Sequence, residues 1–199
     1  MESAFDEEAL LTRVKTLGPQ QRLAYLLSVG ERLKGNYVAF KKATKWGDVG
    51  ALEAALGLGW TALAGTPATE RALDAGVSRC ESAQPDADDH DSNLVAAALD
   101  AASCCGLVLE LLRENDPETV VDGASLARDT IDQYVQAKDD LDPSDAQFEE
   151  RILGHALMQA ELKRQREDLE TLAALTLDAT GLAGLEKRWR APSKSNLGL

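Results

Sequence analysis

The chain predicts an all-α fold: a single domain of about seven helices packed as a bundle, with a helix of small residues at its centre. Three observations carry that expectation. Apolar residues recur at three-and-four spacing through most of the chain, no stretch alternates with period two, and prolines stand at helix starts and not inside periodic runs. At 199 residues the chain can bury one sizeable core, and neither a linker nor an internal repeat divides it. Aromatics make up only 5% of the residues, so Leu, Ala and Val must build most of that core.

A first helix is expected over about 5–16. Gly18-Pro19 opens the second, over 19–44, because proline at the first helical position forgoes no needed hydrogen bond. Leu23, Leu26, Leu27, Gly30, Leu33, Tyr37 and Phe40 form its buried stripe, with Tyr37 and Phe40 as core anchors and not an aromatic binding face. Helices over 48–64 and 67–79 follow, the latter opened by Thr66-Pro67. Segment 92–114 gathers Ala96, Ala97, Ala98, Ala101, Ala102, Ser103 and Gly106, and its apolar residues run around most of the circumference. Neighbours can approach such a surface closely, so this helix is expected to be central and most buried. Asp116-Pro117 starts a helix over 117–138. Asp142-Pro143 starts the last, over 143–178, broken near Gly154 and with Gln165 interrupting the stripe Met158, Leu162, Leu169, Leu172. From about 180, Gly181, Gly184 and the run Ala191 to Asn196 read as an irregular, exposed tail.

Charge is segregated. Residues 1–80 carry 10 basic and 9 acidic side chains, residues 81–145 carry 3 and 17, and residues 146–199 carry 8 of each. The net charge of −13 therefore lies wholly in the middle third. Nucleic acid is excluded as a partner, because neutralising phosphates needs a basic face. A basic protein, or self-association through a basic face of the same fold, is the partner that this layout favours. The plainer reading is that the carboxylates solvate exposed helix faces. An acidic N-terminus and the lack of an apolar run approaching about 18 residues give a cytoplasmic protein with no membrane partner as the expectation. Cys80, Cys104 and Cys105, an odd set with two adjacent members, are expected to be free, buried filler.

Chemistry is sparse. Asp86, Asp88, Asp89, His90 and Asp91 form the one cluster resembling a metal site, with His90 and Asp91 its candidate ligands. The bland alternative is a solvated turn with Asp91 or Ser92 capping the next helix. His155 is the only other histidine. Glu167 and Glu170 have a spacing seen in helical metal-dependent pyrophosphohydrolases and equally common on a solvated face. Arg22, Glu31 and Arg32 are expected to form ion pairs linking helices. No glycine-rich phosphate loop, HExxH or Ser-His-Asp context is present, and no cofactor is expected.

Several segments taken together resemble one family. They are Arg32-Leu33-x-x-Asn36-Tyr37-x-x-Phe40 with Gly47-Asp48 and Trp60, Ala87-Asp88-Asp89-x-Asp91 followed by Ala98-Leu99-Asp100-Ala101, and the terminal Ser195-Asn196-Leu197-Gly198. In this order and spacing they are similar to the YjaG-like bacterial proteins, a family catalogued as a domain of unknown function. Lys34-Gly35 replaces the proline usual before Asn-Tyr, and His90 stands where an aromatic residue is usual. The resemblance implies a compact helical fold and a cytoplasmic bacterial protein, and supplies no activity or catalytic residues. Two readings of function follow from the residues. In one, the acidic middle third, with Asp86, Asp88, Asp89 and Asp91, docks a basic protein partner. In the other, a metal-dependent hydrolase of a small molecule uses loop 86–91 with Glu167 and Glu170.

Overall fold

The computed structural model describes residues 5–190 and 195–199. Nine α-helices run through them: α1 (Glu7–Thr16), α2 (Pro19–Thr44), α3 (Val49–Leu63), α4 (Glu70–Ser82), α5 (Val95–Glu114), α6 (Pro117–Asp139), α7 (Phe148–Gly154), α8 (Ala156–Ala174) and α9 (Ala179–Trp189). A single 3-10 turn, Ala87–Asp89, lies between α4 and α5, and the described residues hold no strand.

Two additions separate nine helices from the expected seven. The last predicted helix is indeed broken beside Gly154, at His155, which is extended (φ −65°, ψ 139°) and whose ring accepts a hydrogen bond from Leu157 N–H, capping α8. The expected irregular tail is instead helical from Ala179 to Trp189. Asp178 caps Gly181 N–H at 2.9 Å, and the Leu182, Leu185, Trp189 spacing outweighs two glycines. Nor is the tail wholly exposed: Leu185, Trp189, Ser195, Asn196 and Leu197 are buried while Gly198 and Leu199 are exposed, and residues 191–194 of the expected irregular run lie outside the described residues.

Three expected starts also move. Thr69, not Thr66, caps α4 by accepting from Ala72 N–H. Neither Asp91 nor Ser92 caps α5, which begins after Leu94 without a side-chain cap. Asp142 turns the chain by accepting from Ser144 N–H at 2.8 Å, and the next helix starts only at Phe148. Asp116 and the Gly18-Pro19 opening stand as expected.

The core forms where α2 crosses α5, with α3, α4 and α6 around α5 and α8 and α9 against α2. Leu23 to Leu33 of α2 are buried without interruption, so α2 is the helix enclosed on all sides. Tyr37 and Phe40 are fully buried, as the apolar spacing requires. Contact between helices is close: a Cβ on Gly30 would meet Leu56 Cδ2 at 2.7 Å, and one on Gly123 would collide with Leu26.

α5 is central on one side only. Ala98, Ala101, Cys104, Cys105 and Val108 face inward, while Leu99 is exposed and Ser103, Gly106 and Leu107 are half-buried. It is also the one described helix long and apolar enough to cross a membrane, which corrects the expectation that no segment reaches that length. Its apolar residues are spent on the core: most of the helix is packed inside the bundle.

Candidate functional site

The open face of α5 is the floor of a groove of about 650 Å³ between α4 and α6. Ala102, Ser103, Gly106 and Leu107 line its bottom, and Val77, Cys80 and Leu126 give it apolar walls. Helix levels follow from bonds between the elements. Gln84 to Ser103 at 3.3 Å and Arg113 to Asp74 at 2.7 Å set α4 antiparallel to α5. The two-residue connection Asn115–Asp116 turns α6 back along α5, and Thr130 to Asp100 at 2.7 Å fixes its level. These levels put Glu81 of α4 and Asp122 of α6 on opposite walls beside Gly106, with Glu110 and Glu114 about one and two turns farther along the floor.

The groove is acidic and its carboxylates are largely uncompensated. Arg113, a cation of the lining, is held by Glu70 at 3.2 Å and Asp74 at 2.7 Å. Asp129 is paired with Arg128 at 2.7 Å. Glu81, Glu110, Glu114 and Asp122 have no ion pair among the described residues. The Asp122 pKa is raised from its ordinary value, through partial burial and then the neighbouring charges of Glu118, Glu7 and Asp116. Gly106 faces open space: a Cβ there would meet nothing within 4 Å.

The residues singled out from sequence are dispersed. Asp86, Asp88, Asp89 and Asp91 are exposed on the α4–α5 connection and lie outside the groove lining. Asp86 accepts from Asp88 N–H at 3.0 Å and so shapes the turn. The His90 ring packs 5.2 Å from Phe40 and 4.9 Å from Trp46, taking an aromatic place in the core margin. Glu167 and Glu170 are exposed on α8, Glu167 lying 3.7 Å from Lys163. Among the described residues no three His, Cys, Asp or Glu side chains form a group that could hold a metal ion.

A buried polar network that the sequence only hinted at joins α2, α8 and α9. Arg32 donates to Asp168 at 2.7 Å and to Glu161 at 2.9 Å, with both carboxylates almost wholly buried. Trp189 Nε1–H reaches the other oxygen of Asp168 at 3.1 Å, and Ser28 Oγ–H donates to Asp168 at 3.0 Å. Beside it, Trp60 Nε1–H and Lys34 both bond Glu31, at 2.9 and 2.6 Å. Burial works against the Arg32 charge, but the Glu161 and Asp168 carboxylates outweigh it and hold the guanidinium protonated. None of Arg32, Glu161 and Asp168 lines any of the five principal clefts. Such a network ties α2, α8 and α9 together. Arg22 is likewise structural, donating to the Val14 and Lys15 carbonyls at the end of α1.

The motif residues meet in space. Asn36 donates to Asn196 at 2.8 Å, and Asn196 to the Ala127 carbonyl at 2.9 Å, clasping the terminal Ser195-Asn196-Leu197 onto α2 and α6. Tyr37 donates to the Ala83 carbonyl at 2.6 Å and accepts from Asp48 N–H at 3.1 Å. Gly47 (φ 108°) lies against that phenol, where a Cβ would sit 2.7 Å from its oxygen.

Comparison with known proteins agrees with this picture. A crystal structure of a DUF416 family protein from Shewanella baltica OS155 matches with a TM-score of 0.85 and 25% identity, covering 95% of this chain and 97% of that one. No curated protein matches. The profile described as "Protein of unknown function (DUF416)" matches residues 9–199, and the chain belongs to that family.

Proposed function

We propose that the protein is a non-enzymatic, cytoplasmic helical binding protein whose acidic middle third docks a basic protein segment. One observation carries this reading: four carboxylates of that third, Glu81, Glu110, Glu114 and Asp122, converge, with no ion pair among the described residues, on one groove that also has an apolar floor. Carboxylates that merely solvate helix faces have no reason to gather around a concave apolar surface, where their mutual repulsion is least screened. A cationic partner relieves that repulsion, and the floor supplies apolar contact area.

The test is a fluorescence-anisotropy titration with a labelled cationic peptide, deca-lysine, at 25 and 150 mM NaCl. Binding is expected to weaken at least tenfold between the two salts. It should weaken to a similar extent in the variant Glu81→Gln/Glu110→Gln/Glu114→Gln/Asp122→Asn. A second variant, with Asp86, Asp88, Asp89 and Asp91 changed to Asn, measures what the exposed loop adds by steering the peptide in. Deca-lysine binding that is absent at 25 mM salt, or untouched by the groove variant, would refute the reading.

A further inference from the structure

The shape of the groove says more than its charge. Its floor runs along α5 from Ala102 to Glu114, about 18 Å at 1.5 Å per residue, which is about three helical turns. Along its middle the floor is apolar or lacks a side chain: Ala102, Gly106 and Leu107, with Leu126 and Val77 at the sides. At the Gly106 level the two walls each present a carboxylate, Glu81 on α4 and Asp122 on α6. An apolar line bounded on both sides by charge is the surface complement of an amphipathic helix, whose apolar seam is flanked by long charged side chains.

Resting on the reading that this groove binds a basic partner, we infer that the occupant is a basic amphipathic α-helix. It lies along α5, seats an apolar side chain over Gly106, and places cations on both flanks, against Glu81 and Asp122. The missing Cβ at Gly106 lets the incoming helix approach as closely as the small residues of α5 let α2 approach on its buried side. Lys or Arg flanks suit the walls for a second reason: their stems cover apolar surface while the charged heads reach out to the carboxylates.

Three labelled peptides of equal charge test this. One is a 14-residue Leu/Lys helix with a continuous Leu seam and Lys on both flanks, the second is its composition-matched scramble with no seam, and the third is oligolysine. Each is titrated against the wild type and against Gly106→Leu, whose Cβ enters open space with nothing within 4 Å. The seam peptide is expected to bind the wild type at least tenfold more tightly than the scramble, and to lose at least tenfold in Gly106→Leu. Oligolysine, which needs only the carboxylates, should be affected less than threefold by that substitution. Equal affinity for seam peptide and scramble, or a seam peptide indifferent to Gly106→Leu, overturns the helix while leaving the acidic groove in place. Loss of all three peptides in the wild type overturns the groove as well. Sedimentation showing a wild-type dimer that Gly106→Leu makes monomeric overturns the proposal in favour of a second copy as occupant. Circular dichroism of Gly106→Leu confirms that the variant is folded.

Discussion

Asp100 is the ionisable group whose removal should stabilise this protein. The residue is 7% exposed between α5 and α6, and burial, with a smaller push from the Asp129 charge, raises its pKa to about 6 despite the Thr130 hydrogen bond. The geometry explains why ionisation is unwelcome. Thr130 Oγ1 lies 2.7 Å from Asp100 and 2.9 Å from the Leu126 carbonyl, and one hydroxyl hydrogen cannot serve two acceptors. A protonated Asp100 donates to Thr130 and frees that hydrogen for Leu126. Folding therefore favours the protonated acid. Its stabilising contribution is complete below the unfolded-state value of about 3.8 and is lost as pH rises through about 6. A shift of about two units corresponds to about 3 kcal/mol above pH 6.

Asp100→Asn keeps the shape and supplies a permanent donor to Thr130. The variant should be more stable than wild type by about 2–3 kcal/mol at pH 8, and by about 1 kcal/mol less at pH 5, where wild-type Asp100 is mostly protonated in the fold. In a chain of this size that is a rise in Tm of roughly 4–12 °C at pH 8. Urea unfolding followed by circular dichroism at both pH values measures it. An unchanged or lowered midpoint at pH 8, or a gain independent of pH, refutes the reasoning.

Phe40→Ala should cost about 3–5 kcal/mol, because the fully buried ring packs against Tyr37, Trp46 and His90 and leaves a cavity among them; the urea midpoint reports it. Arg32→Met should cost about 3–5 kcal/mol at pH 7 by stranding the Glu161 and Asp168 carboxylates, and adding Glu161→Met with Asp168→Leu should recover part of that loss, as a shift in urea midpoint shows. A single Arg32→Met variant as stable as wild type would contradict the structural role given to this network.

The helical class, the core anchors Tyr37 and Phe40 and the proline-marked starts at Pro19 and Pro117 were legible because they depend on local spacing and capping. The final helix was not. Gly181 and Gly184 weigh locally against a helix, and only burial of Leu185 and Trp189 against the rest of the bundle reverses the balance. The two sides of α5 were also indistinguishable, since small residues suit both a tight helix crossing and an open floor. Segregation of charge is most conspicuous in the sequence at the loop 86–91, whose side chains are exposed. The groove instead joins Glu81, Glu110 and Asp122 from three helices, a convergence that only the antiparallel levels of α4, α5 and α6 create. His90, a candidate ligand by its chemistry, also stood where the resemblance has an aromatic residue, and its ring packs against Phe40 and Trp46.

The three cysteines give the molecule an internal set of timers. All are free and buried, and desolvation lifts Cys80 to about 11 and Cys104 to about 12, with Cys105 well above its usual value. Alkylating reagents attack the thiolate, so in the closed molecule at pH 8 only about one Cys80 in a thousand is reactive at any instant. Modification then waits for motion, and Cys80 waits for a different motion from the other two. Cys80 sits on α4 in the wall of the groove, whereas Cys104 and Cys105 are on the inward face of α5, packed inside the bundle, and are expected to need the bundle itself to come apart. The ratio of their labelling rates thus separates opening of the groove from unfolding of the domain, using atoms the protein already carries and no added probe.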